Sequence, residues 1–244
     1  MNDPKHDIIL VSAIVPCHNF GLYIHHTVDS LLSQTPGVNE IIIVDDGSTD
    51  EFTLEQLKKY EDHPLVRVIY SENLGPSSAR NIGFSHSQGR YLLLCDGDDM
   101  FREDFVAKAV TLLDDYPLLG AVSSWTLCFG EVDFVWFPMG GSVQNFISSI
   151  TCPCAGLVRR EAWVDSGGFD VSYKIGYEDW DFWLRVTKKG WLIHIIPELL
   201  FYYRQKKESR VKNTFQNHDE IYKDQIMQNH PDVFKNILSQ SVTT

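Results

Sequence analysis

Three short apolar segments in the first half of the chain each end in polar or acidic side chains. Residues 8–16, 40–44 and 91–95 are nearly continuous apolar runs, which is typical of strands that are buried on both faces. A sheet with two buried faces needs a layer of helices on each side. This feature restricts the chain to an α/β fold.

The segments between these strands have the spacing of helices. Apolar side chains recur at helical intervals in residues 22–33 and 76–86, and a further strand is predicted at 65–70. Such alternation predicts a mostly parallel, Rossmann-like central sheet flanked by helices. Because ligands of these folds bind beyond the carboxyl ends of the strands, we expect the polar strand ends to form the site.

The second half of the chain is predicted to be smaller and mixed in structure. Aromatic, strand-like stretches reach residue 137, a helix is predicted at 178–189 and a strand at 191–203. The Gly- and Ser-rich residues 140–149 form either a mobile lid or a plain connection. We expect residues 1–244 to form a single domain. Its three parts are predicted at residues 8–117, 118–207 and, as a polar and peripheral tail, 208–244.

Composition argues against several kinds of partner. The net charge of -12 at pH 7 opposes binding to nucleic-acid phosphates and anionic lipid headgroups, so no nucleic-acid partner is expected. The polar start of the chain is unlike a signal peptide, and no apolar run is long enough to cross a bilayer. The odd number of cysteines, five, favours free thiols. These features predict a cytoplasmic protein without a transmembrane segment.

The acidic sequence Asp96-Gly97-Asp98-Asp99 directly follows a predicted strand. Its three carboxylates repel one another in a partly buried site, and a bound cation relieves that repulsion. Carboxylate oxygens are the ligands that Mg²⁺ and Mn²⁺ prefer, and such a metal neutralises a diphosphate leaving group. The equally weighted alternative is a solvated turn that caps the following helix.

Five blocks of sequence follow one another between residue 12 and about residue 204. They read SAIVPCHNFGLYIHHTVDSLLSQT, IIIVDDGSTDE, ENLGPSSARNIGFSHSQGRYLLLCDGDD, GGFD with IGYEDWDFWLRVTKKG, and LLFYYR. In this order they resemble the blocks of the large inverting glycosyltransferase family 2, whose fold is called GT-A. One block alone is a weak signal, whereas five in order are specific.

The resemblance implies a nucleotide-diphospho-sugar donor, UDP-linked by default, with a divalent metal and inversion at the anomeric carbon. The transferred sugar is then a hexose-like group, and the acceptor is a carbohydrate, a lipid-linked glycan or a protein. In these terms residues 8–117 are the nucleotide-sugar-binding half and residues 118–207 the acceptor-binding half.

Several residues match donor-binding positions of the family. Pro16, His18 and Asn19 match the first donor loop, although capping of that loop is an equally weighted role for His18 and Asn19. Asp46 matches a carboxylate that hydrogen-bonds the nucleotide base. Arg80 matches a basic residue near the nucleotide, where a guanidinium can fork onto a phosphate or stack on a base. This role is favoured for Arg80, and a surface ion pair is the alternative.

The two acidic motifs carry the chemistry that the resemblance implies. Asp96 matches the ribose-side residue of the D-x-D signature, and Asp98 matches its metal ligand. Asp179 matches the catalytic base, which removes the acceptor proton. Its neighbours Glu178 and Trp180 are predicted to bind the acceptor, because aromatic faces pack on the C–H surfaces of sugars. Core packing is the alternative for Trp180.

Further predictions concern the same helix and the closing strand. Trp183 is predicted to pack in the core, and Asp181 and Arg185 to form a pair on the helix surface. Relatives often carry a histidine two residues after the Tyr-Arg of the closing strand, where this chain has Lys206. The favoured interpretation of Lys206 and Lys207 is a solvated basic patch, and the alternative is that one of them holds a phosphate.

Two other functions compete with glycosyl transfer. A sugar nucleotidyltransferase needs a glycine-rich, basic loop after the first strand to hold a triphosphate. That loop here is PCHNFGLY, which has a single glycine and no Lys or Arg. A non-catalytic module that binds a nucleotide or sugar is the second alternative, and the complete acidic set argues against it.

Overall fold

The computed structural model describes residues 11–174, 176–207 and 219–238, so the predicted strand residues 8–10 and tail residues 208–218 and 239–244 lie outside the described residues. The strands are β1 Val11–Cys17, β2 Glu40–Asp46, β3 Val66–Ser71, β4 Tyr91–Leu94, β5 Met100–Phe101, β6 Leu119–Gly130, β7 Phe134–Trp136, β8 Gly156–Arg159 and β9 Leu192–Gln205. The helices are α1 Ile24–Leu32, α2 Glu51–Lys58, α3 Pro76–His86, α4 Phe105–Asp115, α5 Arg160–Ser166, α6 Glu178–Lys188, α7 Asp219–Asn229 and α8 Pro231–Leu238, with a 3-10 turn at Val143–Phe146. None of the described helices has the length and apolar character that crossing a membrane requires.

Within the described residues the nine strands form one sheet, in the order β3-β2-β1-β4-β8-β6-β9-β5 with β7 paired to β6. Strands β1 to β4 are mutually parallel, as their alternation with helices predicts. Strand β8 is antiparallel to β4 and β6, whereas β6 and β9 run parallel. The observed architecture confirms the predicted α/β class, with a parallel first half and a mixed second half.

The two faces of β1 pack against different layers of helices. Val15 belongs to the core cluster that contains α1 and α4, whereas Ile14 belongs to the cluster that contains α5 and α6. All seven residues of β1 are buried, as a strand covered on both faces requires. Burial of apolar surface, at about 25 cal/mol per Å², is the main stabilising contribution here.

The carboxyl ends of β1 and β4 meet at one edge of the sheet. The Gly97 amide donates to the Pro16 carbonyl oxygen at 3.1 Å, which holds the acidic turn after β4 against the end of β1. A Cβ atom at Gly97 would lie 3.0 Å from that same oxygen, so a side chain here would have to push the turn and β1 slightly apart. The polar strand ends therefore lie together, as we expected from the parallel arrangement.

Strand β8 and helix α5 are not evident from the sequence pattern. β8 has only four residues, too few for periodicity to distinguish a strand from other buried segments. In the structure β8 lies between β4 and β6 and joins the two halves of the sheet. Both halves consequently share one continuous sheet.

The described part of the tail packs on the body, although the sequence predicted a peripheral tail at 208–244. Ile226 of α7 and Phe234 of α8 are buried in the same core cluster as α6. His230, between the two helices, is 2% exposed, and its Nε2 atom lies 2.9 Å from Asp181 Oδ1. The polar composition of the tail was misleading because a few apolar residues on the buried side are enough to dock it.

Candidate active site

A cavity of about 540 Å³ opens beside the carboxyl end of β4. It brings together four predicted site residues from distant parts of the chain, Arg80, Asp96, Glu178 and Asp179. Asp99 of the acidic turn also lines it. The other lining residues are Cys128, Phe134, Trp136, Ile150, Pro153, Cys154, Ala155, Gly176, Tyr177, Phe201, Tyr203 and Gln205. Acidic groups between aromatic walls suit a ligand that carries both hydroxyl groups and apolar C–H surfaces.

Arg80 is buried between two acidic residues of this cavity. Its Nη2 atom lies 2.7 Å from Asp96 Oδ1, and its Nη1 atom lies 3.2 Å from Glu178 Oε1. The guanidinium carbon lies 5.0 Å from the ring centroid of Phe169. Sequence analysis predicted a fork onto a phosphate or stacking on a base. The guanidinium instead forks onto two carboxylates, one in the turn after β4 and one at the start of α6, and lies over a phenylalanine.

Asp98, the predicted metal ligand, is paired with a lysine. Lys206 Nζ lies 2.6 Å from Asp98 Oδ2, and the Asp98 residue is 7% exposed. Burial raises the pKa of Asp98, and the charge of Lys206 opposes that rise. The favoured interpretation of Lys206 as part of a solvated patch is wrong, since its side chain is only 22% exposed and forms this ion pair.

Asp99, the third carboxylate of the turn, is also partnered. Its Oδ1 atom accepts a hydrogen bond from the Arg204 backbone amide at 2.8 Å, and its carbonyl oxygen accepts one from Thr27 Oγ1 at 2.8 Å. Burial, followed by the charges of Asp98 and Asp96, raises the pKa of Asp99 well above its usual range. Each carboxylate of the acidic turn therefore has a partner within the protein.

Asp179 lies in the first turn of α6 and lines the cavity. Tyr177 precedes the helix in a left-handed conformation with φ of 63°, which turns the chain sharply at this point. The Trp180 amide donates to Asp179 Oδ1 at 2.9 Å. Asp179 is half-buried, so its carboxylate remains accessible to a ligand while the helix start holds it in place.

The predicted donor loop lies outside the set of residues that line this cavity. Asn19 adopts φ of 56°, and its Oδ1 atom accepts a hydrogen bond from the Thr49 amide at 2.8 Å. His18 Nδ1 lies 2.9 Å from the Asp46 carbonyl oxygen. Pro16 is buried within β1. The contacts of His18 and Asn19 are those of the loop-capping alternative.

Asp46 holds the loop that precedes α3. Its carboxylate accepts hydrogen bonds from the Leu74 amide at 2.8 Å and the Gly75 amide at 2.9 Å. A carboxylate has about four lone-pair positions, so these two bonds leave capacity for another donor. The contact of Asp46 with a nucleotide base stays a prediction.

Both tryptophans of α6 are core residues, which favours the core-packing alternative for Trp180. Trp180 is 4% exposed, and its indole Nε1 donates to the Phe146 carbonyl oxygen at 2.6 Å. Trp183 is fully buried, as predicted, and its Nε1 atom donates to the Pro153 carbonyl oxygen at 3.2 Å. The alternative of core packing applies to Trp180 because its side of α6 faces the 3-10 turn.

The predicted pair on α6 is present but is not at the surface. Arg185 Nη2 lies 2.6 Å from Asp181 Oδ2, and Asp181 is 2% exposed. The other carboxylate oxygen of Asp181 contacts His230. This buried arrangement connects the tail to the helix that begins at Asp179.

Sequence analysis missed several residues that complete the cavity. Tyr203 comes from β9 and Trp136 from the short strand β7. Burial, followed by the nearby carboxylate charges, raises the pKa of Tyr203, so its phenol remains a hydrogen-bond donor. Tyr203 lies in the LLFYYR segment that resembles the family, but no local pattern indicated which strand face would meet the acidic turn.

Residues 140–149 are attached to the body at several points. The Gly141 amide donates to the Ile193 carbonyl oxygen at 2.7 Å, and the Ile193 amide donates back at 3.0 Å. Phe146 is fully buried in the core. These contacts are those of a plain connection rather than a lid.

The sequence matches those of known proteins over most of its length. Residues 12–163 match the family model described as Glycosyl transferase family 2. A Bacillus subtilis (strain 168) protein described as the teichuronic acid biosynthesis glycosyltransferase TuaG is 30% identical over 211 residues, 84% of this chain and 82% of that protein. A chondroitin synthase of Pasteurella multocida (strain Pm70) is 42% identical over 102 residues, 41% of this chain but only 10% of that protein.

The fold is similar to crystal structures of TarS from S. aureus. Residues 1–349 of TarS in complex with UDP-GlcNAc have a TM-score of 0.69 and 19% identity, covering 92% of this chain and 72% of that one. The complex with UDP has a TM-score of 0.67 and 22% identity, covering 89% and 69%. At these identities the likeness shows the fold alone, and it agrees with the predicted GT-A architecture.

Proposed function

Because the chain belongs to glycosyl transferase family 2, we propose that it moves a sugar from a nucleotide-diphospho-sugar to an acceptor hydroxyl with inversion. One observation carries the proposal. Asp96, the expected ribose-side residue, and Asp179, the expected base, line the same cavity although they come from separate halves of the chain. A donor and an acceptor bound in one space can react directly, which is what a single displacement needs.

The donor is proposed to be UDP-linked. TarS, whose fold is similar, forms complexes with UDP and with UDP-GlcNAc. In the chain itself, Asp96 keeps a half-buried carboxylate at the cavity, where it can accept from ribose hydroxyl groups. Arg80 orients that carboxylate through its 2.7 Å contact.

In the proposed reaction Asp179 is the general base. Its carboxylate takes the proton of the acceptor hydroxyl while the oxygen attacks the anomeric carbon. The bond from that carbon to the phosphate oxygen breaks, and the nucleoside diphosphate leaves with the electron pair. Attack on the face opposite the leaving group inverts the anomeric centre, and a base of this kind contributes about a hundredfold or more in rate.

The acceptor is proposed to be a carbohydrate hydroxyl, carried on a glycan, a lipid-linked glycan or a protein. Phe134 and Trp136 supply aromatic walls, and sugars pack their C–H faces on such surfaces. Glu178 is 4% exposed and paired with Arg80, so we expect it to shape the wall of the acceptor side rather than to take up a proton.

The divalent metal predicted at Asp98, Mn²⁺ or Mg²⁺, does not suit the residues present there. Lys206 lies on Asp98, and Arg80 lies on Asp96. The carboxylate repulsion that favoured a metal is thus relieved by side chains of the protein, and no step of the proposed reaction involves a metal.

A donor-hydrolysis screen tests the proposal. UDP-, GDP- and dTDP-sugars are incubated with the protein, and release of the free nucleoside diphosphate is measured with and without candidate acceptors. We expect release from at least one donor, and a loss of about a hundredfold in Asp179→Asn because the base is removed.

Asp115→Asn is a matched control, since Asp115 is an exposed aspartate at the end of α4. It should retain full activity. Full activity in Asp179→Asn would contradict the assignment of the base. Donor binding without release under any acceptor condition would favour a non-catalytic nucleotide-sugar-binding module.

A further inference from the structure

Lys206 lies where three segments of the site meet. Its Nζ atom is 2.6 Å from Asp98 Oδ2 in the acidic turn and 3.9 Å from the ring centroid of Phe20 in the loop after β1. The ring of Tyr23, at the start of α1, is 5.7 Å away. An ammonium group held by a carboxylate and an aromatic face is fixed in position and partly stripped of water.

A second cationic side chain lies beside it. The Arg204 guanidinium carbon lies 4.6 Å from the ring centroids of both Tyr23 and Phe129, and Arg204 Nε donates to the Asp98 carbonyl oxygen at 2.9 Å. Arg204 therefore adds a positive charge that Asp98 alone does not offset. The space beside them is lined by three cationic side chains, Arg204, Lys206 and Lys207, and by one carboxylate, Glu131, so cations outnumber carboxylates along its wall.

Open space adjoins these cations. A cavity of about 480 Å³ is lined by Tyr23, Arg204 and Lys206, among others. Gln205 lines both this cavity and the one that contains Asp96 and Asp179, so the two spaces adjoin at the end of β9. An anionic group bound at Lys206 would thus lie next to the proposed site of sugar transfer.

We propose that Lys206, assisted by Arg204, is the resident cation that binds the donor diphosphate, so that nucleoside diphosphates bind this protein without a divalent metal. The inference rests on the proposed function, because it assigns the diphosphate of that donor. A lysine ammonium is a compact charge that binds phosphate oxygens well. It contributes a charge that stays with the protein when chelators remove metal ions.

Calorimetric titration with UDP, GDP and dTDP tests this inference, once in EDTA and once in MnCl₂. For the wild-type chain we expect the same affinity in both buffers. Lys206→Gln should bind about tenfold more weakly in EDTA, because it loses a charge-assisted hydrogen bond to phosphate. Mn²⁺ should restore part of that loss, since Asp98 is no longer paired and can accept the ion.

Two further variants control the comparison. Lys206→Arg keeps the charge and should bind in EDTA, which separates loss of charge from misfolding. Lys189→Gln removes an exposed positive charge after α6 and should behave as the wild type.

Three outcomes would overturn the inference. If the wild type binds a nucleoside diphosphate only with Mn²⁺, the metal is required, although the proposed function stands. Wild-type affinity of Lys206→Gln in EDTA would show that Lys206 does not contact the ligand. Absence of binding for all three nucleotides in both buffers would remove the proposed function, and this inference with it.

Discussion

Arg80 connects the two halves of the cavity, since its Nη1 atom lies 3.2 Å from Glu178 Oε1 and both side chains are almost fully buried. Its other nitrogen contacts Asp96. A buried carboxylate that loses its partner is strongly destabilised, so Arg80→Met should lower the free energy of unfolding by about 3–5 kcal/mol. Urea denaturation at neutral pH measures this change.

The double variant Arg80→Met/Glu178→Gln controls the interpretation of that loss. It also removes the carboxylate charge that faced Arg80 and should recover more than about 1 kcal/mol relative to Arg80→Met. Arg90→Met is the exposed comparison, because the Arg90 side chain is 49% exposed in its pair with Asp114, and it should cost less than about 1 kcal/mol. Equal losses in Arg80→Met and Arg90→Met would contradict the importance of the buried contact.

The pair of Asp181 with His230 and Arg185 predicts a dependence of stability on pH. Burial alone would raise the pKa of Asp181, but the hydrogen bond from His230 and the charge of Arg185 together lower it. A carboxylate with a lowered native pKa stabilises the fold above the unfolded pKa, near 3.8, and loses that contribution as the pH falls further.

Asp181→Asn should therefore cost about 3 kcal/mol at pH 6 and progressively less below pH 4. Urea midpoints of the wild type and the variant, measured across this range, give the difference. A difference that stays constant down to pH 3 would mean that Asp181 does not titrate with a lowered pKa in the folded protein.

Trp180→Phe separates core packing from acceptor binding. The variant loses the indole hydrogen bond to the Phe146 carbonyl oxygen, which should cost about 2 kcal/mol because a buried acceptor is left unpaired. Nucleotide affinity should change by less than about twofold. Trp191→Phe, whose indole donates to an exposed Asp165, should cost less than about 1 kcal/mol. A variant of normal stability with altered acceptor kinetics would restore the original prediction.

Gly83 allows α3 to approach β1. A Cβ atom at this position would lie 2.5 Å from Ile14 Cγ2, so Gly83→Ala should cost about 1–3 kcal/mol despite the better helix propensity of alanine. Gly37→Ala is the control, because its Cβ atom would meet nothing closer than 3.6 Å and stability should change by less than about 0.5 kcal/mol. Thermal denaturation of both variants checks the contrast. An unchanged midpoint for Gly83→Ala would show that α3 can move away from the sheet at little cost.

Much of the fold could be predicted from local patterns. The uninterrupted apolar runs of β1, β2 and β4 indicate strands buried on both faces. The helical spacing of apolar residues in α1 and α3 indicates helices that cover those strands. β8 was missed because four residues carry no usable period. The docking of α7 and α8 was missed because it depends on isolated residues such as Ile226, whose burial is decided by distant helices.

The candidate site was predictable in its residues but not in their contacts. Asp96, Arg80, Glu178 and Asp179, which the family resemblance implied as site residues, line one cavity, whereas His18, Asn19 and Asp46 are not among its lining residues. For Lys206, in contrast, the sequence favoured a solvated basic patch. Its pairing with Asp98 follows from the position of β9 beside the acidic turn.

By itself the sequence determined the α/β alternation, the polar strand ends and the membership in a glycosyltransferase family. These depend on apolar residues that recur every two to four positions and on motifs in a fixed order, which are features of the sequence itself. The tertiary structure alone decided that Arg80 forks onto Asp96 and Glu178 and that Lys206 lies on Asp98. Ion pairing depends on the distance between side chains in space, and no local pattern encodes the distance between residues in separate halves of the chain.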